Sequence, residues 1–164
     1  MPDGVLLTKE LPETLRPTIA DAVVAFGRIE QETIEIAWLL FNSNLAQKPK
    51  IARTHARDNF KDIVSFIERV APEEKFEALK KAIETLAAER NLIVHGSWNM
   101  ANEKPWVVWH RFVEDDESVI GEYFDYGRFE RFMTMANHLL SMLYQFHDQL
   151  EATLGASTSA VPRA

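Results

Sequence analysis

The chain has 164 residues, no cysteine, a hydrophobic fraction of 46%, and a net charge of −7 from 18 Lys+Arg against 25 Asp+Glu. That length suits one globular domain with its own core, and the lack of cysteine excludes a disulfide framework and thiolate chemistry. The acidic balance argues against non-specific affinity for nucleic acid, which draws on clustered cations.

No apolar run approaches the ~20 residues needed to span a bilayer. The opening MPDGVLLTKELPE lacks the basic-then-apolar pattern of a secretory signal. The expected setting is therefore a reducing cytoplasm, with no membrane partner. Residues 1–12 read as a flexible N-terminus and 13–154 as a single helical domain. The small-residue stretch GASTSAVPRA, 155–164, reads as a disordered tail.

Helical periodicity predicts a first helix from after Pro12 or Pro17 to about Phe41, with a stripe of Ile19, Val23, Phe26, Ile34, Ala37 and Phe41. A second helix is expected over 50–71, carrying Ala56, Phe60, Ile63, Ile67 and Val70 on one face. Ala71-Pro72 separates it from a third over 73–95, with Phe76, Leu79, Ile83, Leu86 and Ile93. The period then changes. PWVVWHRFV, Pro105 to Val113, reads as a strand, EDDES as a turn and VIGEYF as a return strand, giving a hairpin over about 105–125. Asp125 or Gly127 opens a fourth helix over 128–153, with Phe129, Phe132, Ala136, Leu140, Leu143 and Leu150. The fold class is mainly α, an antiparallel helical bundle with a β-hairpin inserted before its last long helix.

Chemistry concentrates in E-R-N-L-I-V-H-G-S-W, residues 89–98. Arg90 follows Leu86 by four and Ile83 by seven, which puts a guanidinium on an apolar stripe, where it needs a partner or an opening. Glu30 is a matching irregularity, four after Phe26 and four before Ile34. A Glu30–Arg90 pair explains both, as a structural salt bridge at the least. His95 in the last turn suits the helix dipole, and Gly96 suits a left-handed cap. Asn91 and His95 are i, i+4 neighbours, so the amide could orient the imidazole. Arg90 and His95 stand about 140° apart around an ideal helix. A two-fold dimer would bring two copies of the pair together.

The string R-N-L-I-V-H resembles the Arg-x4-6-His motif of the HEPN family (higher eukaryotes and prokaryotes nucleotide-binding), including that family's polar residue after the arginine. The resemblance covers most of the chain, with the motif near the end of the third helix and the hairpin as an insertion. It implies a metal-independent endoribonuclease with a composite site between two protomers, in a toxin or defence setting. His95 would take the proton from a ribose 2′-hydroxyl, Arg90 would stabilise the charged phosphorane, and Asn91 would position the histidine or the phosphate. The products would be a 2′,3′-cyclic phosphate and a 5′-hydroxyl. Some HEPN toxins carry, two residues after the histidine, a tyrosine that accepts a nucleotidyl group from an antitoxin. Here that position is Ser97, so the sequence gives no support for that neutralisation. Many relatives are non-catalytic, so the alternative is a dimeric interaction or nucleotide-binding module, with Glu30–Arg90 structural and His95 only a helix end.

Lys50, Arg53, Arg57 and Lys61 recur at i, i+3, i+7 and i+11, within roughly 80° on one continuous helix. Such a stripe could track an RNA backbone, or be a solvated face. Trp98, Trp106, Trp109, Tyr123, Phe124 and Tyr126 gather around the hairpin, and core or interface packing is expected before base stacking. His147 reads as a satisfied core residue, and His138 as solvent-facing. No H-x3-H or H-E-x-x-H spacing builds a zinc site on a helix, and no cofactor is implied.

Overall fold

A computed structural model describes residues 7–8, 10–41, 46–70, 77–113 and 116–159. Its helices are α1 (Leu15–Leu40), α2 (Lys48–Arg53), α3 (Ala56–Val70), α4 (Glu77–His95) and α5 (Tyr126–Ser159). Its strands are β1 (Leu7–Thr8), β2 (Ser97–Ala101), β3 (Lys104–Val113) and β4 (Asp116–Tyr123), an antiparallel sheet in the order β1-β2-β3-β4. The protein is thus mainly helical with a small antiparallel sheet. No described helix is long and apolar enough to cross a membrane. Two compact units emerge: Met1–Phe26 with Leu86–Met135, and Gly27–Thr85 with Ala136–Ala164.

α1 begins between the two prolines named as starts. Pro17 falls in its first turn, where no backbone N–H is required of it. Its buried face is only partly the expected stripe: Phe26 and Ala37 are buried as expected, and Ile19 and Ile34 are half-buried. Leu15, Ala22, Ile29 and Ile36 recur every seven residues and are fully buried, whereas Val23 and Phe41 are exposed. The sequence TIADAVVAFGRIEQETIEIAWLL is apolar enough to carry two overlapping stripes, and spacing alone selects one that overlaps the buried face only in part. The true face brings Glu32 and Thr33 into the interior. Thr33 satisfies its hydroxyl by donating to the Ile29 carbonyl at 2.6 Å.

The expected helix over 50–71 is two helices. Thr54 is extended, with φ −79° and ψ 141°, and ends α2. The buried Asn59 holds the break from below, its Nδ2 donating to the carbonyls of Ile51 at 3.0 Å and Thr54 at 3.3 Å. The His55 carbonyl accepts the first bonds of α3 from the amides of Asp58 and Asn59. An asparagine in a helix interior competes for the backbone in this way, and it leaves no trace in hydrophobic periodicity. Ala71-Pro72 and Phe76 lie outside the described residues.

In the first unit, α4 passes directly into β2, a strand the sequence reading lacks. SWNMA has no β-branched residue, and its turn has no Asn-Gly signal. Ala101 pairs with Lys104, so the turn is only Asn102-Glu103, and both residues have positive φ, 49° and 61°. This is the primed geometry that suits a twisted hairpin. β3 and β4 form the expected hairpin, but β4 begins at Asp116, inside the expected EDDES turn, with Val113 pairing Asp116 across residues 114–115, which lie outside the described residues.

Gly96 has no left-handed φ, contrary to the cap expected for it; close approach explains it instead. A Cβ there would stand 2.1 Å from Val107 Cγ2 and 2.4 Å from the Leu92 carbonyl oxygen. Gly121 gives similar room to the Trp106 ring, whose Cζ2 would be 2.6 Å from an added Cβ. Trp98 packs on Phe124 and Phe129, with centroids 5.6 Å away in each case, and its Nε1 donates to the Ile93 carbonyl at 3.0 Å. This aromatic group forms the core of the first unit with Leu15, Phe26, Ile93 and Val107. Phe60, Ile63, Ile83, Leu139 and Leu143 are buried in the second. Asp125 caps α5, its Oδ1 accepting from the Arg128 amide at 2.8 Å, as the sequence suggests. α5 continues to Ser159, beyond the point where a tail was expected.

Two substitutions test this account. Gly96→Ala should destabilise the chain by roughly 1–3 kcal/mol, because the blocking Leu92 carbonyl is backbone and cannot step aside. Urea unfolding measures it, and wild-type stability in the variant would refute the close approach. Glu103→Gly should stabilise by about 0.5–1 kcal/mol, since glycine relieves a left-handed residue at the second turn position at some cost in unfolded-state entropy. A lowered melting midpoint would contradict the assigned turn.

Candidate functional site at the end of α4

The end of α4 is held by an arginine from another helix. Arg128 lies in the first turn of α5, where a cation opposes the helix dipole and needs acidic neighbours. Its Nε and Nη2 each donate at 2.7 Å to the two oxygens of Glu89, a bidentate fork. Its Nη1 donates to Glu122 at 2.8 Å and to the Tyr123 carbonyl at 3.1 Å. Its guanidinium carbon sits 4.3 Å from the Phe124 ring centroid. Burial works against the charge, but the bonds to Glu89 and Glu122 outweigh it and hold the guanidinium above its ordinary range. Sequence reading missed all three residues. The available signal was an arginine at a helix start.

Glu89 immediately precedes Arg90, so the clamp fixes the angle at which Arg90 leaves α4. Arg90 is half-buried, with its guanidinium carbon 5.9 Å from the Phe26 ring centroid. Its Nη1 donates to Asn91 Oδ1 at 3.3 Å and stands 3.4 Å from His95 Nε2. The separation of 140° around the helix is therefore bridged within one chain, because the long arginine side chain reaches along the last turn. Asn91, expected to orient the imidazole, instead accepts from Arg90. His95 is exposed. Among the described residues of this unit, Arg90 pairs with no carboxylate, and its Nε and Nη2 make no hydrogen bond. Glu30, its expected partner, is half-buried on the part of α1 that belongs to the second unit.

The basic residues do not form one helical stripe. Lys50 and Arg53 lie on α2 and Arg57 and Lys61 on α3, with the Thr54 break between them. Arg57 pairs with Asp58 at 3.3 Å and Lys61 with Glu84 at 3.0 Å, which reduces the free positive charge. Trp98 and Phe124 pack internally, as expected. Trp106 packs edge-on against Tyr123 at 4.7 Å, and both Tyr123 and Tyr126 are exposed. An open cavity of about 630 Å³ in the second unit is lined by Phe41, Asp62, Ser65 and Glu68, none of them a predicted site residue.

His147 is a partnered interior residue of the second unit, but its partner is charged. Its Nδ1 is hydrogen-bonded to the buried Glu32, and its Nε2 lies 3.6 Å from Glu151. Burial alone would push the imidazolium down; the carboxylates of Glu32, Glu151 and Glu35 prevail and raise it above the usual histidine range. No search for ligand spacing along one helix could have found this group, because it is assembled from two.

No protein-family model matches the chain, and neither a curated protein nor a solved structure matches it.

Removing the clamp should unsettle this end of the first unit. Arg128→Met leaves Glu89 and Glu122 without their counter-charge. It should cost roughly 2–3 kcal/mol, less than for a sealed pair because the side chains retain some solvent. Denaturant unfolding is the check, and a loss below half a kcal/mol would show the fork to be ornamental.

Proposed function

We propose that the chain is a HEPN-type endoribonuclease that acts as a homodimer, with Arg90 and His95 as its reacting pair. One observation carries this reading: His95 Nε2 and Arg90 Nη1 are 3.4 Å apart at a helix end, with His95 exposed. A general base for a 2′-hydroxyl and a cation for the neighbouring phosphate must stand about this close, because the two groups they serve are adjacent on one ribose. Among the described residues of the unit, two guanidinium nitrogens of Arg90 make no hydrogen bond, so its fork can take phosphate oxygens.

In the reaction, His95 Nε2 accepts the 2′-hydroxyl proton as the 2′-oxygen forms a bond to phosphorus. The bond from phosphorus to the 5′-oxygen breaks, and that oxygen leaves with a proton from solvent. Arg90 meets the charge that grows on the non-bridging oxygens. Asn91 holds Arg90 through its side-chain oxygen and so acts as a positioning residue. Catalysis needs the neutral imidazole, with Nε2 as the acceptor and the proton on Nδ1.

Purified chain should cleave mixed RNA in the presence of chelator and leave 2′,3′-cyclic phosphate ends. His95→Ala and Arg90→Ala, shown by circular dichroism to be folded, should each lose at least ~100-fold of that activity. Wild-type cleavage no greater than that of the two variants at micromolar protein would sink the enzymatic reading. The same motif would then belong to a non-catalytic binding module.

A further inference from the structure

The second unit carries a cluster that the ribonuclease reading does not use. Glu32 and Glu35 are one turn apart on α1, and His147 and Glu151 one turn apart on α5. One ligand-type atom each from Glu32, Glu35 and His147 lies within 4.8 Å of the others. An ion with bonds of about 2.0–2.2 Å keeps its ligands within roughly 4 Å of one another, so a shift of about an ångström closes the set.

Two features show that the protein alone leaves this cluster incomplete. The Glu32 side chain is only 8% exposed, yet just one of its oxygens is bonded, to His147 Nδ1. Among the described residues of the second unit, nothing donates to the other oxygen, and a buried carboxylate oxygen without a donor is costly. The charge is also unbalanced. Three carboxylates, of Glu32, Glu35 and Glu151, face at most one positive charge, on His147, and no described lysine or arginine of the unit pairs with them. The Gln31 amide donates to Glu35 Oε1 at 2.6 Å but brings no charge.

We propose that Glu32, Glu35 and His147 bind one first-row divalent transition-metal ion, and that Glu151 orients the imidazole from outside the coordination sphere. An imidazole beside two carboxylates suits zinc, manganese, iron, cobalt or nickel better than calcium or magnesium, which favour all-oxygen shells. The ion replaces the proton now shared by Glu32 and His147 Nδ1 and engages the unsatisfied oxygen of Glu32. His147 then presents its Nε2–H to Glu151, the carboxylate–histidine–metal arrangement that fixes a ligating ring. Such an ion ties α1 to α5 within the second unit and shares no residue with the Arg90–His95 pair.

The full chain, freed of any affinity tag and stripped with chelator, is titrated with Zn2+ by calorimetry and with Co2+ by visible absorption. One equivalent should bind with micromolar or tighter Kd, and the melting midpoint should rise. Glu35→Gln keeps an acceptor for Gln31 while removing a charged ligand, so it should fold and lose affinity at least ~10-fold, as should His147→Gln. Glu151→Gln should weaken binding while leaving the stoichiometry at one. His138→Gln, an exposed histidine elsewhere on α5, should bind as wild type does. Failure of the wild type to bind either ion at ~100 μM overturns the proposal, as does wild-type affinity in Glu35→Gln. If His147→Gln does not fold, Glu35→Gln decides the matter alone.

Discussion

The end of α4 depends on the fork between Arg128 and Glu89. Four donor bonds from one guanidinium reach α4 through Glu89 and the final strand through Glu122 and the Tyr123 carbonyl. The same residue begins α5, whose first turn is set by Asp125. A bidentate pair fixes orientation as well as distance. Because the residue held is Glu89, the next side chain, Arg90, emerges at a defined angle from a helix that cannot rotate without breaking the fork. Gly96 adds a second constraint six residues after Arg90, where α4 passes into β2 with Val107 and Leu92 so close that no side chain fits. The motif between these two fixed points occupies rigid structure at both ends, and reactive groups need that support to hold a productive geometry.

Much of this was legible in sequence, and what was not has identifiable causes. Four long apolar patterns and one hairpin pattern announced most of the elements, and Asp125 was read correctly as a helix start. The core face of α1 is legible only in part, at Phe26 and Ala37, because its sequence is apolar on more than one side. As a result Glu30, not Glu32, was picked out as the acid inside the stripe. The break at Thr54 depends on the Asn59 amide reaching back to two carbonyls, an interaction with no periodic signature. β2 escaped because SWNMA has neither strand propensity nor a turn signal; its pairing with β3 makes it a strand. At Gly96 the residue was rightly marked as special, for the wrong reason. Arg90 stands out in sequence because a charged residue on an apolar stripe is conspicuous in any helical reading, and His95 because it ends the helix before a glycine. Arg128 went unnoticed because an arginine near a helix start is conspicuous only when the dipole is considered.

The half-buried Arg128 and the buried Glu32 differ in how completely they are satisfied. Arg128 uses its Nε, Nη1 and Nη2 in contacts of 2.7–3.1 Å, and its partners answer its charge. Such a group specifies the fold and has little left to offer a ligand. Glu32 is the opposite: a carboxylate in the interior with one oxygen bonded and, among the described residues of its unit, no donor to the other. Native proteins leave few such atoms, and those that remain call for a bound species or a functional reason.

Arg90 lies between these extremes, which bears directly on its proposed role. Its two polar contacts, at 3.3 and 3.4 Å, are long for a cation and involve no carboxylate. A guanidinium locked into a short carboxylate fork would have to break that fork to reach a phosphate, and the substrate would have to supply the difference in free energy. Arg90 faces no such competition among the described residues of its unit, and a phosphate oxygen offers shorter, charge-assisted bonds than Asn91 does. The exposed imidazole beside it makes one long contact through Nε2, the atom proposed to accept the proton. Two arginines on neighbouring elements thus divide the work, Arg128 fully engaged in holding the backbone and Arg90 placed by it with capacity in reserve.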